Sequence, residues 1–324
     1  MGNANTTRPE AVGERVVAKL KGLVRDDFQA GKETKGWRRI FFGLPRNKPV
    51  EVPLKHIMAG YSRDITIHNA RLMQAKSTDT HSFFEEHGFV LLQAPTRVNN
   101  WNQDHSRIDT DITNIYHSEV EALIREQLFP RGTEFHSINQ QHAVLRRGPN
   151  SQNNFYGSGV HQDYALTPGH FKDAIAAYIT DEQTTQETRE QFDAKLAESC
   201  IVTMICFWRP IKMEGKLINN PLCVLDCSTV KRDDIVLTEL YGITPTNKPQ
   251  PQLSVKYDEA QKWCYYPDMT SDEVLVFKQF FYRNDNPDAA YKCCFHSAFV
   301  DPREGYFSQQ KRQSTEHRVL VFIK

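Results

Sequence analysis

His161 and Asp163 stand two residues apart in the segment Ser158-Gly-Val-His-Gln-Asp-Tyr-Ala. Along an extended chain, residues i and i+2 leave the same face, so an imidazole and a carboxylate here converge on one point. A second histidine, His296, lies in Cys293-Cys-Phe-His-Ser-Ala-Phe-Val-Asp-Pro, an apolar stretch late in the chain. Two histidines and one carboxylate can cap one face of an octahedral iron(II) ion. The other positions then stay open for a cosubstrate and dioxygen, as oxygen activation requires. With 12 histidines and 40 acidic residues in the chain, a lone H-x-D spacing is a weak signal. Taken singly, each histidine reads more readily as a hydrogen-bonded core or surface group. Order gives the set its weight: H-x-D falls early in a strand-rich half and the second histidine falls on its penultimate strand.

A cosubstrate with two carboxylates needs a fixed cation at the far end of its pocket, and arginine offers a planar two-pronged fork for it. The stretch Lys311-Arg-Gln-Ser-Thr-Glu-His-Arg-Val-Leu-Val-Phe-Ile places Arg312, Ser314 and Arg318 at one parity. If it is extended, all three face one side. Arg312 with Ser314 forms the preferred carboxylate grip, Arg318 is the competing anchor, and solvated charges after a loop are the plain alternative. Arg209, next to Trp208, could reach the pocket mouth to bind a substrate carboxylate or phosphate, or form a structural ion pair. Arg146 and Arg147 precede the Asn- and Gly-rich loop Pro149 to Gly159, suited to a lid, with Arg147 turned to the site. Lys278 and Tyr282 read as core-strand residues, and His117, His136 and His142 as structural.

These side chains need a scaffold. The chain has 324 residues, 39% hydrophobic and 25% charged, enough for one large domain or two small ones. Forty basic residues balance forty acidic ones, so no net field favours nucleic acid or an anionic membrane, and a small-molecule partner is the default. Apolar runs such as Cys200 to Trp208 are too short for a transmembrane helix. Seven cysteines without C-x-x-C spacing read as buried, reduced thiols of a cytoplasmic protein. Met1, Gly2 and Thr6 formally satisfy the myristoylation template. The sequence is silent on oligomeric state, a homodimer being allowed.

Val12, Val16, Leu20 and Val24 predict an amphipathic helix over Pro9 to Lys32. Helices are also expected over Thr78 to His87 and Asp104 to Leu128, with a strand from Phe89 to Leu92. After Pro130 the rhythm changes to short apolar runs separated by Pro, Gly, Asn and Asp, the sign of an all-β sandwich or barrel. Expected strands are His142 to Arg146, Gly159 to Tyr164, Ile201 to Trp208, Leu222 to Leu225, Asp234 to Thr238, Gln252 to Tyr257, Trp263 to Tyr266, Glu273 to Phe281, Cys293 to Val300 and His317 to Ile323. The fold class is mainly β with flanking helices around a double-stranded β-helix, a cupin-like jelly roll. Residues 1–130 form a mixed region packed on a catalytic core, 131–324, with a helical insertion at 168–199, as one integrated domain.

The metal segment and its surroundings resemble the fungal hydroxylase/desaturase family that includes gibberellin desaturases and relatives of the cephamycin methoxylation proteins. The likeness runs through Glu86-His-Gly-Phe-Val-Leu-Leu, Cys206-Phe-Trp-Arg-Pro-Ile-Lys, Pro221-Leu-Cys-Val-Leu-Asp, Tyr265-Tyr-Pro-Asp-Met-Thr-Ser-Asp-Glu-Val-Leu-Val-Phe-Lys and His296-Ser-Ala-Phe-Val-Asp-Pro. The resemblance implies a double-stranded β-helix and a dioxygenase using Fe(II), 2-oxoglutarate and O2, with ascorbate as an accessory reductant. It also implies oxidation of an unactivated C–H bond of a secondary metabolite by hydroxylation, desaturation or cyclisation. Where the family has a short polar pair after H-x-D, this chain has Tyr164-Ala165, which marks Tyr164 as a pocket-wall residue for a different substrate. Gln310-Lys311 replaces an expected proline ahead of Arg312, so the choice between Arg312 and Arg318 stays open. A cupin-like isomerase or hydrolase without 2-oxoglutarate, or an inactive binding subunit, are the rival readings.

Overall fold

The computed structural model describes residues 13–24, 62–101, 110–139, 145–149, 151, 156–157, 159–240, 244–287, 289–305 and 310–324. Two long strands run through its centre, β6 (Ile201–Pro210) and β13 (Ser314–Ile323), paired antiparallel along their whole length. Around them one sheet has the order β3 (Phe89–Gln93), β11 (Glu273–Arg283), β6, β13, β4 (Phe135–Asn139), and the short β5 (Leu145–Arg147) also pairs with β13. The second sheet has the order β1 (Arg15–Lys21), β2 (Ser62–Asn69), β10 (Trp263–Tyr265), β7 (Leu222–Leu225), β12 (His296–Ala298). All these pairings are antiparallel except β2 with β10. Strands β8 (Ile235–Leu240) and β9 (Gln250–Val255) form a separate pair. The expected mainly β, curled two-sheet architecture is what the chain adopts.

Strands from the first 130 residues are hydrogen-bonded into both sheets, β1 and β2 beside β10 and β3 beside β11. Helix α1 (Ala70–Gln74) precedes α2 (Thr80–His87), which starts on an Asp79 cap and stops at Gly88 with φ +78°. A Cβ at position 88 would come within 3.0 Å of the Cys227 Sγ and the Lys292 carbonyl, so glycine both ends the helix and lets β3 begin against the core. The next helix runs through wide π-type turns at Ile112–Tyr116, an α segment α3 (His117–Leu123), and wide turns again at Ile124–Leu128. Phe83, Phe84, Tyr116, Val120 and Ile124 bury against the β6, β11 and β13 side of the first sheet. The helical insertion resolves into α4 (Pro168–Ala176) and α5 (Glu182–Ala197), whose Phe171 and Phe192 pack with Met204, Phe280 and Phe322.

The structure corrects three expectations. Residues 15–21 form β1 instead of part of a helix, with Ala18 and Leu20 buried; the rest of Pro9 to Lys32 beyond residue 24 and before residue 13 lies outside the described residues. Gly159 to Tyr164 is held by single bridges, Lys21 with Gly159, His161 with His296 and Gln162 with Leu253, and is not a continuous strand. Only His296–Ala298 of Cys293 to Val300 is ladder-paired. Among the described residues no helix is long and apolar enough to cross a membrane.

Candidate active site

His161 and His296 are brought together by main chain. The His161 N–H donates to the His296 carbonyl (3.2 Å) and the His296 N–H to the His161 carbonyl (2.9 Å), and the two rings lie 4.4 Å apart. Between His161 and Asp163, Gln162 points the other way into the protein, its Nε2 donating to the carbonyls of Tyr164 and Gln279 (2.9 Å each). The alternation expected of H-x-D therefore holds although the ladder is brief. Ligand atoms of His161, Asp163 and His296 all lie within 4.8 Å of one another. Nε2 of His161 is 3.4 Å from Asp163 Oδ1, and Nε2 of His296 is 4.0 Å from Oδ2.

The Nδ1 of His161 lies 2.6 Å from the Gly159 carbonyl oxygen, which can only accept. Nδ1 therefore carries a hydrogen, which leaves Nε2, turned to Asp163 and His296, as the atom that would ligate a metal. Burial, then the adjacent His161, pushes His296 down to about 3, so it is a neutral imidazole. Burial opposes the charge on Asp163, but Arg318 and then His161 outweigh it and hold the carboxyl well below the ordinary range. This donor set fits a divalent transition metal: two neutral-capable imidazoles, one ionised carboxylate, and nitrogen ligands for an ion of intermediate softness.

Arg318 donates to Asp163 Oδ2 (2.8 Å) and also to Glu316. Its competing role as a cosubstrate anchor is thus taken up by carboxylates of the protein. Arg312 differs. Its backbone N–H donates to Asn219 Oδ1 (2.9 Å), its Nη1 donates to the Asn220 carbonyl, and its guanidinium lies 4.3 Å from the Tyr156 ring and 5.5 Å from that of Trp208. Among the described residues no carboxylate pairs with it, and its Nε is buried without a partner. Burial, and then the charge of Arg147, push Arg312 down to about 9, a strain that an incoming carboxylate relieves. Ser314, two residues on, is equally buried. Arg147 is close enough to feel the charges of Glu316, Asp163 and Arg318, and its Nη2 and His161 Cε1 lie 4.0 and 3.9 Å from the point a Cβ of Gly157 would take. Gly148, with φ +118°, lets β5 cross under the anchor, because a Cβ there would sit 2.2 Å from the Arg312 carbonyl oxygen.

Two expected substrate residues are placed elsewhere. Arg209 is fully buried on the opposite face of β6, where its Nη2 donates to the carbonyls of Ala94 and Ser271 and its guanidinium stands about 6 Å from Trp101 and Tyr116. Tyr164 is buried against Phe171 behind Arg318, whose guanidinium is 5.8 Å from its ring, so it backs the site instead of walling an open pocket. Reading the sequence for cations passed over Glu316, which shares the parity of Arg312, Ser314 and Arg318 and could have been found by it. It also passed over Gln250, which donates to the Asp163 carbonyl (3.2 Å), and Gln279, which accepts from the Asp163 N–H (3.0 Å). A polar amide inside an aromatic strand was the available signal. His117 and His317 stack 4.9 Å apart on the far side of β13, away from the site, and His142 lies outside the described residues.

The pattern described as "Oxidoreductase/YMDC permease-like domain" matches residues 44–322. Hydroxylase/desaturase CTB9 of Cercospora beticola is 26% identical over 271 residues, covering 81% of this chain and 76% of that protein. The alpha-ketoglutarate-dependent dioxygenase phiK of a fungal species is 28% identical over 249 residues, 73% of this chain and 78% of that one. Among solved structures, the iron and alpha-ketoglutarate-dependent endoperoxidase NvfI, from Aspergillus novofumigatus, superposes with a TM-score of 0.63 at 22% identity, over 95% of this chain and 98% of that chain. That likeness shows the shared fold, and the hydroxylase/desaturase resemblance read from the sequence is borne out.

Proposed function

The chain belongs to the oxidoreductase/YMDC permease-like domain family, and from that premise we propose that it is an Fe(II)/2-oxoglutarate-dependent dioxygenase of secondary metabolism with His161, Asp163 and His296 as its metal ligands. The observation that carries this reading is the convergence of three ligand atoms within 4.8 Å of one another. Iron(II) with 2-oxoglutarate and dioxygen supplies the oxidising power to break an unactivated C–H bond.

The protein's own groups do the positioning. The Gly159 carbonyl fixes the tautomer of His161. Arg318 holds one carboxylate oxygen of Asp163 and leaves Oδ1 for the metal. Arg312, aimed by Asn219 and Asn220 and flanked by the Tyr156 and Trp208 rings, takes the distal carboxylate of 2-oxoglutarate with help from Ser314. Buried fixed donors are worth more there than in water and need no reorganisation when the cosubstrate arrives. Arg147 lies on the same side and faces the substrate or cosubstrate. The substrate is a small molecule. Hydroxylation, desaturation or cyclisation follows from where the protein holds it.

Anaerobic addition of iron(II) and then 2-oxoglutarate tests the reading. The expected result is a weak visible charge-transfer band in the wild type that His161→Ala abolishes. A wild-type protein without the band, or a His161→Ala variant that keeps it, would overturn the assignment.

A further inference from the structure

Strand β11 carries one residue more than its partner. Lys278 is in register with Ile205 and Phe280 with Met204, which leaves Gln279 unpaired on β6. Such a bulge re-aims a side chain, and here it sends a fully buried amide toward the metal centre. Gln279 Oε1 accepts from the Asp163 N–H (3.0 Å), while its Nε2 is 3.3 Å from the Cys294 carbonyl and 3.2 Å from His296 Nδ1. Its own carbonyl accepts from Gln162 Nε2 (2.9 Å). One residue thus ties the H-x-D segment to the strand that brings in the second histidine.

We infer that Gln279 is a positioning residue of the metal centre, fixing Asp163 relative to His296 and governing which ring nitrogen of His296 is free to ligate. The inference rests on the reading of His161, Asp163 and His296 as metal ligands. His296 Nε2 faces Asp163, so Nδ1 must carry the ring hydrogen when Nε2 ligates, and that hydrogen needs an acceptor. Among the described residues, the group at hydrogen-bond distance from Nδ1 is the Gln279 amide. An amide has one accepting and one donating end. It can offer its oxygen to the ring only by withdrawing it from the Asp163 N–H. A glutamate at this position accepts from both at once. An apolar side chain of the same length accepts from neither.

Calorimetric titration of the full chain with Mn(II), a redox-stable stand-in for iron(II), separates the possibilities. Gln279→Met is expected to weaken Mn(II) binding by about 10- to 100-fold, the usual effect of losing a group that orients a ligand. Gln279→Glu, able to accept from both groups at once, is expected to bind more tightly than wild type. A purely structural glutamine would lower the thermal midpoint in both variants and leave the Mn(II) affinity in place. Wild-type-like affinity in Gln279→Met overturns the inference, and so does a Gln279→Glu protein as weak as Gln279→Met. If Gln279→Met does not fold, Gln279→Glu decides alone: binding tighter than wild type supports the role, and unchanged or weaker affinity overturns it. His296→Ala is the control. Wild-type protein that fails to bind Mn(II), or binding untouched in His296→Ala, brings down the metal-site reading and this inference with it, whereas loss in His296→Ala beside full affinity in Gln279→Met brings down the inference alone.

Discussion

Strands β6 and β13 turn alternate residues toward two different interiors, and the two interiors handle buried charge in opposite ways. On the helix side, Arg209 sits with Trp101 and Tyr116, its nitrogen shared by two main-chain carbonyls. On the site side, Arg312 and Arg318 gather with Arg147, Glu316 and Asp163. Arg209 and Arg312 are equally buried at 1% exposure, and among the described residues neither pairs with a carboxylate. Burial without a counter-ion therefore does not identify an anion site. Each arginine also has a main-chain carbonyl and aromatic faces for company; what differs is the second guanidinium, Arg147, near enough to depress Arg312.

The contrast can be broken at several points. The largest effect belongs to Asp163→Ala, which removes a proposed metal ligand and leaves Arg318 with a single acidic partner. Metal binding and turnover should both be lost, and a variant that still binds iron(II) by equilibrium dialysis would remove the site face from the comparison. Next comes Arg312→Ala, expected to raise the KM for 2-oxoglutarate by about 30- to 150-fold, the equivalent of roughly 2–3 kcal/mol for a charged hydrogen-bonded pair. Arg312→Lys should recover part of this because it keeps the charge but not the fork. Arg209→Met should leave that KM where it is and lower unfolding stability by about 1–3 kcal/mol in urea, since two buried carbonyls lose their donor. If Arg209→Met moves the KM as far as Arg312→Ala does, the two faces are not distinct. The smallest effect is expected at Thr315, on the helix side, whose buried hydroxyl has no partner among the described residues. Thr315→Val should be neutral or stabilising by up to about 1 kcal/mol in the same urea assay.

The convergence of His161 and Asp163 was legible because side-chain alternation needs only two residues of extended chain, and Gly159 to Tyr164 has that much even without a full ladder. Parity likewise placed Ser314 and Arg318 on one face of β13, with Arg312 just before it. Glu316, two residues before Arg318 and at its parity, was open to the same reading, but Asp163 reaches Arg318 only through the folding of a distant segment. The N-terminal strand was misread for a definable reason. Val16, Leu20 and Val24 are four apart, a spacing that satisfies both a helical stripe and a strand's period of two. Ala18, buried between them, breaks the tie toward the strand. Arg209 was misassigned because Trp-Arg at the end of an apolar run does not reveal which of two buried faces the arginine takes. The bulge at Gln279 has no proline or glycine to announce it.

The reciprocal main-chain bonds between His161 and His296 join segments far apart in sequence through the backbone. On the proposed reading, loading of the centre would be linked to the stability of a fold that these main-chain bonds also hold. An ion present at a hundred times its dissociation constant would add about 2.7 kcal/mol to unfolding by mass action.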